Sequence, residues 1–223
     1  MEEEKLIQTR NLINFIGDLL GDQYEIVFHV ITEKEVYIDT IINGHISGRN
    51  ENSPLTNLAL DFIENKVYLE RDYVMDYKAV TKDQRNLQGS TYFIKGLDDE
   101  LLGMICVNYD YTKRVELAKD IFQSLNLALL DTVPAFEEKV IKNTSPQIFV
   151  EKISENIEDI IQEYVNIDIS NNNIDLTQEA KVEIVEILEE KNIFQLKGAV
   201  SEVAKLLRVS EPTIYRYRKI ANN

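Results

Sequence analysis

The run AKLLRVSEPTIYRYRK, Ala204 to Lys219, constrains the fold more tightly than any other part of this chain. A helix-turn-helix needs a small residue where its second helix crosses the first. It also needs a short turn, a cap, and apolar residues pointing back to the core. Ala204 supplies the small residue, Val209 the apolar plug of the turn and Ser210 the N-cap of the second helix. Pro212 falls in the first helical turn, where its missing N–H does no harm. Ile214 and Tyr217, three apart, point inward. The pattern predicts helices over 199–207 and 211–221. Glu211, Thr213, Tyr215, Arg216 and Lys219 are then left facing outward, and Arg, Tyr and Thr suit major-groove edges and phosphates. Glu211, Tyr215 and Arg216 are the expected base contacts. Lys205, Arg208, Ser210, Thr213 and Lys219 are the expected phosphate contacts.

Charge agrees with this placement. Residues 196–223 hold six Lys or Arg against two acids, a net of +4, within a chain of formal charge −15, so the remainder carries −19. An acidic body repels polyphosphate and a basic tip attracts it. Basic C-terminal helices also arise by complementing the helix macrodipole, so charge alone does not decide.

Upstream, the 223 residues suffice for two domains, and 44% apolar residues suffice for a core. The single cysteine, Cys106, excludes an intramolecular disulfide and fits a reducing cytoplasm. The N-terminus MEEEKLIQTRN lacks the basic and apolar regions of a signal peptide, and no apolar run reaches the ~18–20 residues of a membrane span. The expectation is a soluble cytoplasmic protein with no membrane partner.

Residues 4–20 carry apolar residues at helical spacing up to Gly21. YEIVFHVI (24–31) and EVYIDTII (35–42) read as a hairpin. The loop NGHISGRNENSPL follows, then a helix for which Ser53 is the expected N-cap and Pro54 the first residue. Residues 66–88 give no clear pattern. STYFIKG (90–96) and LLGMICVNYD (101–110) read as a second hairpin, and Asp110 can cap a long helix ending before Pro134. In that helix Val115, Ala118, Phe122, Leu125, Leu129 and Thr132 are spaced as a short coiled-coil seam, which either packs on the sheet or joins two subunits. A helix is expected near 147–165, a linker over 166–177, and a helix over 176–192 capped by Thr177. The fold class is therefore α+β: an N-terminal antiparallel sheet with flanking helices, then an all-α helix-turn-helix domain. The expected divisions are 1–133 for the sensor-like domain, 134–175 for a connecting helix and linker, and 176–223 for the helix-turn-helix.

The string EVAKLLRVSEPTIYRY resembles the helix-turn-helix of many bacterial repressors, x-V-A-x-x-x-G-V-S-x-x-T-[VI]-x-R. Ala204, Val209, Ser210, Thr213, Ile214 and Arg216 match. Arg208 departs from it, standing where a Gly at positive φ is usual, at a cost of roughly 1 kcal/mol. EIVFHV (25–30), INGHISGRNENSPLTNLAL (42–60), LLGMICVNYD (101–110) and residues 179–217 together resemble the YheO-like family of bacterial transcriptional regulators. The family has Gly just before the Ser-Pro, where this chain has Asn52. The resemblance implies a PAS-like sensor domain that receives a small-molecule effector and a C-terminal domain that binds double-stranded DNA. By analogy with two-helix readers, the chain would act as a homodimer on an inverted-repeat operator.

For the effector, Asn43, Gly44, Gly48, Arg49, Ser53 and Thr56 cluster around one loop and helix start. Arg49 can fork onto a carboxylate, and a helix N-terminus favours anions, so a carboxylate-bearing effector would fit. The same residues also fit a purely structural loop. His29 on its apolar strand is either a ligand contact or a core residue, and Cys106 reads as packing. Two His and one Cys argue against a zinc site, and no nucleotide or nucleophile motif is present, so no cofactor, metal or catalytic residue is expected. His29 with Asp39, or His45 with Arg49, are the only pairs an enzyme could use. The alternative function is a protein-interaction adaptor with a basic helical docking module.

Overall fold

A computed structural model describes residues 3–33, 35–124, 149–153, 156–165 and 176–221. It opens with α1 (Glu3–Leu20), followed by the hairpin β1 (Tyr24–Ile31) and β2 (Val36–Ile42). After a 3-10 turn at 44–46 come α2 (Asn57–Glu64), the short α3 (Val67–Glu70), β3 (Tyr73–Val80), β4 (Asn86–Lys95) and β5 (Leu101–Asp110). α4 (Thr112–Ser124) leaves the sheet, and β6 (Val150–Lys152) returns to it. Among the described residues, the helices α5 (Ile157–Tyr164), α6 (Gln178–Glu190), α7 (Ala199–Leu206) and α8 (Glu211–Ala221) follow.

The strands lie in the order β2-β1-β5-β4-β3-β6, antiparallel except for β6, which runs parallel to β3. Alternation along β1 sorts its side chains onto two faces. Ile26, Phe28 and Val30 join Ile13 and Ile94 in a core under α1. Val27 faces the other way, into the main core with Phe62, Phe93, Met104 and Cys106, and Glu25 and His29 share its parity. That inner face is roofed by the 43–56 loop and α2.

Both hairpins and the first helix form where the pattern predicts them. Two local readings need correction. The cap of α2 is Thr56, whose hydroxyl accepts from Ala59 N, rather than Ser53. Ser53 lies in the preceding turn and accepts from Asn50 N at 3.0 Å. Residues 150–152 form a strand, so the helix placed near 147–165 begins only at Ile157, where Asn156 accepts from Asp159 N. Asn52, which stands where the family has Gly, does not adopt a positive φ, so the turn forms without one there. The unreadable stretch 66–88 holds β3, whose alternation breaks at a bulge between Val74 and Tyr77, with Asp76 at φ 58°. The latter part of the coiled-coil seam and most of the expected linker lie outside the described residues. Within α4, Val115, Ala118 and Phe122 are half-buried.

α6 to α8 continue the main core. Ile184, Val185 and Leu188 of α6 pack with Val203, Ala204, Leu207, Ile214 and Tyr217. This unit touches the sheet edge, where Leu196 bridges Val36 in parallel and Lys197 N donates to Val36 O at 3.4 Å.

Candidate nucleic-acid interface and buried polar cluster

Two places concentrate chemistry. The first is the α7–α8 hairpin. Ile214 is 0% and Tyr217 4% exposed, so both anchor α8 as their spacing predicts. Ala204 is buried at the crossing, and its carbonyl accepts from Val209 N at 3.0 Å to close the turn. Arg208 takes φ 53°, the left-handed conformation for which Gly is the usual residue. Ser210 and Thr213 bond hydroxyl to hydroxyl at 2.9 Å at the start of α8. Glu211, Tyr215, Arg216 and Lys219 are exposed together on the outer side of α8, and Thr213 is half-buried. Lys205 and Arg208 are exposed on α7 and the turn. Lys205 pairs with Glu202 at 2.6 Å, a surface contact that solvent and salt weaken. Arg216 sits 5.5 Å over the ring of Tyr217. Arg218 differs from its basic neighbours. It turns back onto Glu189 of α6 through two hydrogen bonds, 2.6 and 2.9 Å, and lies 4.6 Å over Phe194. The hairpin therefore has a bolted inner side and a cationic, aromatic outer side.

The second place is the inner face of the sheet. Cross-strand register aligns Glu25 with Asn108 and Gly89, Val27 with Cys106 and Thr91, and His29 with Met104 and Phe93. Glu25 is held by Ser47 and by Asn108 Nδ2, the latter at 2.8 Å. Tyr77 lies over Gly89, where any Cβ would collide with its ring, and bonds Thr91 at 2.8 Å. From the roof come Arg49, whose Nη2 donates to Pro54 O at 2.8 Å, and Thr56, which donates to Glu151 of β6 at 2.6 Å. Gly44 lets the chain double back, since a Cβ there would strike the carbonyl of Arg49.

Burial shapes the electrostatics. It pushes the carboxyls of Glu25 and Glu151 upward, opposed by Arg49 and by their hydrogen bonds. It holds His29 well below its ordinary value, with Arg49 adding to the effect, so His29 is neutral. Cys106 is pushed up to about 12 by burial, which makes it an inert thiol, as its strand position predicts.

Among the residues expected at a ligand site, the structure brings His29, Arg49 and Thr56 to this cluster. Asn43 instead ties Gly21 O and Tyr24 O, at 3.0 and 2.8 Å. Gly48 is exposed at φ 82°, and Ser53 serves its own turn. Sequence reasoning missed Glu25, Asn108, Tyr77 and Glu151. Glu25 was findable, because it shares the parity of His29 on an otherwise apolar strand. Glu151 carried no signal, since its segment read as helix. Of the pairs an enzyme could use, Asp39 is engaged by Arg10 of α1 at 2.6 and 2.5 Å, and His45 is exposed.

Among the described residues no helix is long and apolar enough to cross a membrane. Comparison with known proteins finds two matched regions in the chain. Residues 1–126 match the family described as a YheO-like PAS domain, and residues 156–218 match an HTH domain. The chain is 23% identical over 209 residues to the "uncharacterized protein YheO" of Escherichia coli (strain K12), covering 92% of this chain and 80% of that protein. It is 27% identical over 219 residues to an "uncharacterized protein" of Haemophilus influenzae, covering 97% of this chain and 91% of that one.

Proposed function

The chain belongs to the family of YheO-like PAS-domain proteins, and on that premise we propose that it is a cytoplasmic transcriptional regulator whose PAS-like domain senses a small molecule and modulates operator binding. Its domain content, a PAS-like domain with a helix-turn-helix, points to a DNA-binding regulator rather than an enzyme. The observation that carries the reading is α8. Its Ile214 and Tyr217 are buried on the inner side, and its Tyr215, Arg216 and Lys219 are exposed on the outer side. A helix so anchored presents one face to a groove in a fixed register.

In this reading residues 1–133 are the sensor, 134–175 the connection and 176–223 the reader. Glu211, Tyr215 and Arg216 meet base edges. Lys205, Arg208, Ser210, Thr213 and Lys219 meet phosphates. The −19 carried outside residues 196–223 keeps the remaining surface off DNA. The protein works as a homodimer on an inverted repeat, and the exposed Phe15 and Leu19 of α1 with Leu117 and Ile121 of α4 offer apolar surface for a partner subunit. The effector bears a carboxylate that docks at Arg49, beside His29 and Thr56, under the loop carrying Asn43, Gly44, Gly48 and Ser53.

The test is selection of bound fragments from the source organism's genomic DNA by the full-length protein at ~150 mM salt, where non-specific binding is weak. Enrichment of one inverted repeat, with half-sites about one helical turn apart, is the expected result. Uniform retention of all fragments, or of none with or without cell-extract metabolites, would remove the operator reading.

A further inference from the structure

The inner face of the sheet buries more charge than it pairs. Glu25 is 0%, His29 1%, Glu151 2% and Arg49 5% exposed. Arg49 is close enough to act on Glu25, Glu151 and His29 electrostatically. Yet among the described residues no salt bridge joins Arg49 to either carboxylate. Glu25 has both oxygens occupied, by Ser47 and Asn108. Glu151 has only Oε1 occupied, by Thr56, and its Oε2 has no partner. Arg49 Nε and His29 Nδ1 are likewise unpartnered. Buried polar groups are almost always satisfied, and an unpaired buried ion costs several kcal/mol. A bare acceptor on Glu151 and a bare donor on Arg49, in one cluster and not touching, leave complementary vacant valences of opposite charge.

We propose that this cluster binds a small zwitterion of amino-acid size, with its carboxylate on Arg49 and its ammonium group on Glu151 Oε2. The proposal rests on the reading of Arg49 as the carboxylate dock and adds the other end of the ligand. Charge selects the class. Two buried carboxylates face one guanidinium, so a dianion would add to the excess negative charge, whereas an ammonium group offsets it. His29 is neutral and offers a hydrogen bond without a charge.

The position of Glu151 gives the site a consequence for DNA binding. Glu151 belongs to β6, whose register with β3 runs, among the described residues, over the short span Lys78–Val150, Ala79–Glu151 and Val80–Lys152. The stretch matched as an HTH domain begins at residue 156, just beyond it. A ligand held between Arg49 and Glu151 ties the roof loop to the strand that leads into that domain.

The test is titration calorimetry of the full-length chain with the common L- and D-amino acids. Each binder is followed by its N-acetyl derivative, which lacks the ammonium group, and by its decarboxylated amine. At least one amino acid is expected to bind. Both its N-acetyl derivative, and the parent amino acid on Glu151→Gln, should bind roughly thirtyfold or more weakly, as when one partner of a buried charge pair is removed. Hydrogen exchange over residues 149–153 should slow when the amino acid is bound. Equal binding of the N-acetyl derivative would overturn the role of Glu151 while leaving the carboxylate dock standing. Equal binding of the amine would overturn the dock at Arg49 and the zwitterion with it. No amino acid binding at millimolar concentration would overturn the site, without bearing on the DNA selection. Because the N-acetyl arm uses the unmodified protein, a Glu151→Gln chain that failed to fold would not block the decision.

Discussion

Thr56 Oγ1 donates a hydrogen bond to Glu151 Oε1 at 2.6 Å across 95 residues of sequence. The same hydroxyl accepts from Ala59 N as the cap of α2. One side chain thus begins the roof helix and fastens the last strand of the sheet.

Thr56→Val should therefore cost more than an ordinary cap. Loss of the cap accounts for about 1 kcal/mol, and leaving a buried carboxylate oxygen unsatisfied adds about 1–3 kcal/mol. Thr56→Ser should retain most of the stability. Urea denaturation of the two variants separates them, and equal midpoints would show that the hydroxyl matters to neither contact.

On α8, neighbouring cations should behave differently. Arg216→Ala should remove specific operator binding, a loss of about 1–3 kcal/mol against the preferred sequence. Lys219→Ala should weaken all DNA alike and lower the salt slope by about one. Gel-shift titrations at several salt concentrations read both. Unchanged operator affinity in Arg216→Ala would mean that the recognition register is wrong.

Arg218 makes the contrast. Its bidentate contact with Glu189 and its place over Phe194 hold α8 against α6. Arg218→Ala should lower stability by roughly 1 kcal/mol, as a half-exposed pair allows. Sequence preference among the DNA molecules still bound should be unaltered. A thermal melt and a fragment selection on the same preparation check this.

The left-handed Arg208 predicts opposite changes in two measurements. Arg208→Gly removes strain of roughly 1 kcal/mol but enlarges the freedom of the unfolded chain. The melting temperature should rise slightly, while DNA affinity should fall with loss of the phosphate contact proposed for Arg208. Two changes of the same sign would contradict one of these roles.

The buried titratable groups set a pH dependence. Glu25 and Glu151 are raised above their ordinary value of 4.5. Folding therefore favours their protonated forms, and stability present below pH 4.5 is lost as pH rises through the folded values. His29 is held well below 6.5, so its contribution is lost in the other direction, as pH falls below 6.5. Arg49 acts on all three, and it opposes the upward shift of the two carboxyls. Glu151→Gln should gain on the wild type as pH rises above 4.5. Denaturation midpoints across that range give the test, and a constant difference between the two proteins would refute a protonation change at Glu151.

Sequence patterning by itself determined the elements whose order is local. Ala204, Val209, Ile214 and Tyr217 define the reader because helix crossing, plug and anchor all fall within fourteen residues. The two hairpins follow from alternation and short turns, and Thr177 caps its helix from adjacent atoms alone. Tertiary structure decided whatever depends on distant partners. β6 exists because β3 offers it an edge, and three residues carry no strand signal of their own. The bulge at Asp76 hid β3 by shifting its parity. The cap of α2 fell to Thr56, which the sequence could not rank above Ser53 without the carboxylate of Glu151 beside it. Glu25, Arg49 and Glu151 lie far apart along the chain, and only the folded sheet and its roof bring their charges together. Local spacing can therefore announce the anchored and the exposed sides of α8, whereas a buried polar cluster is a property of strand register and burial.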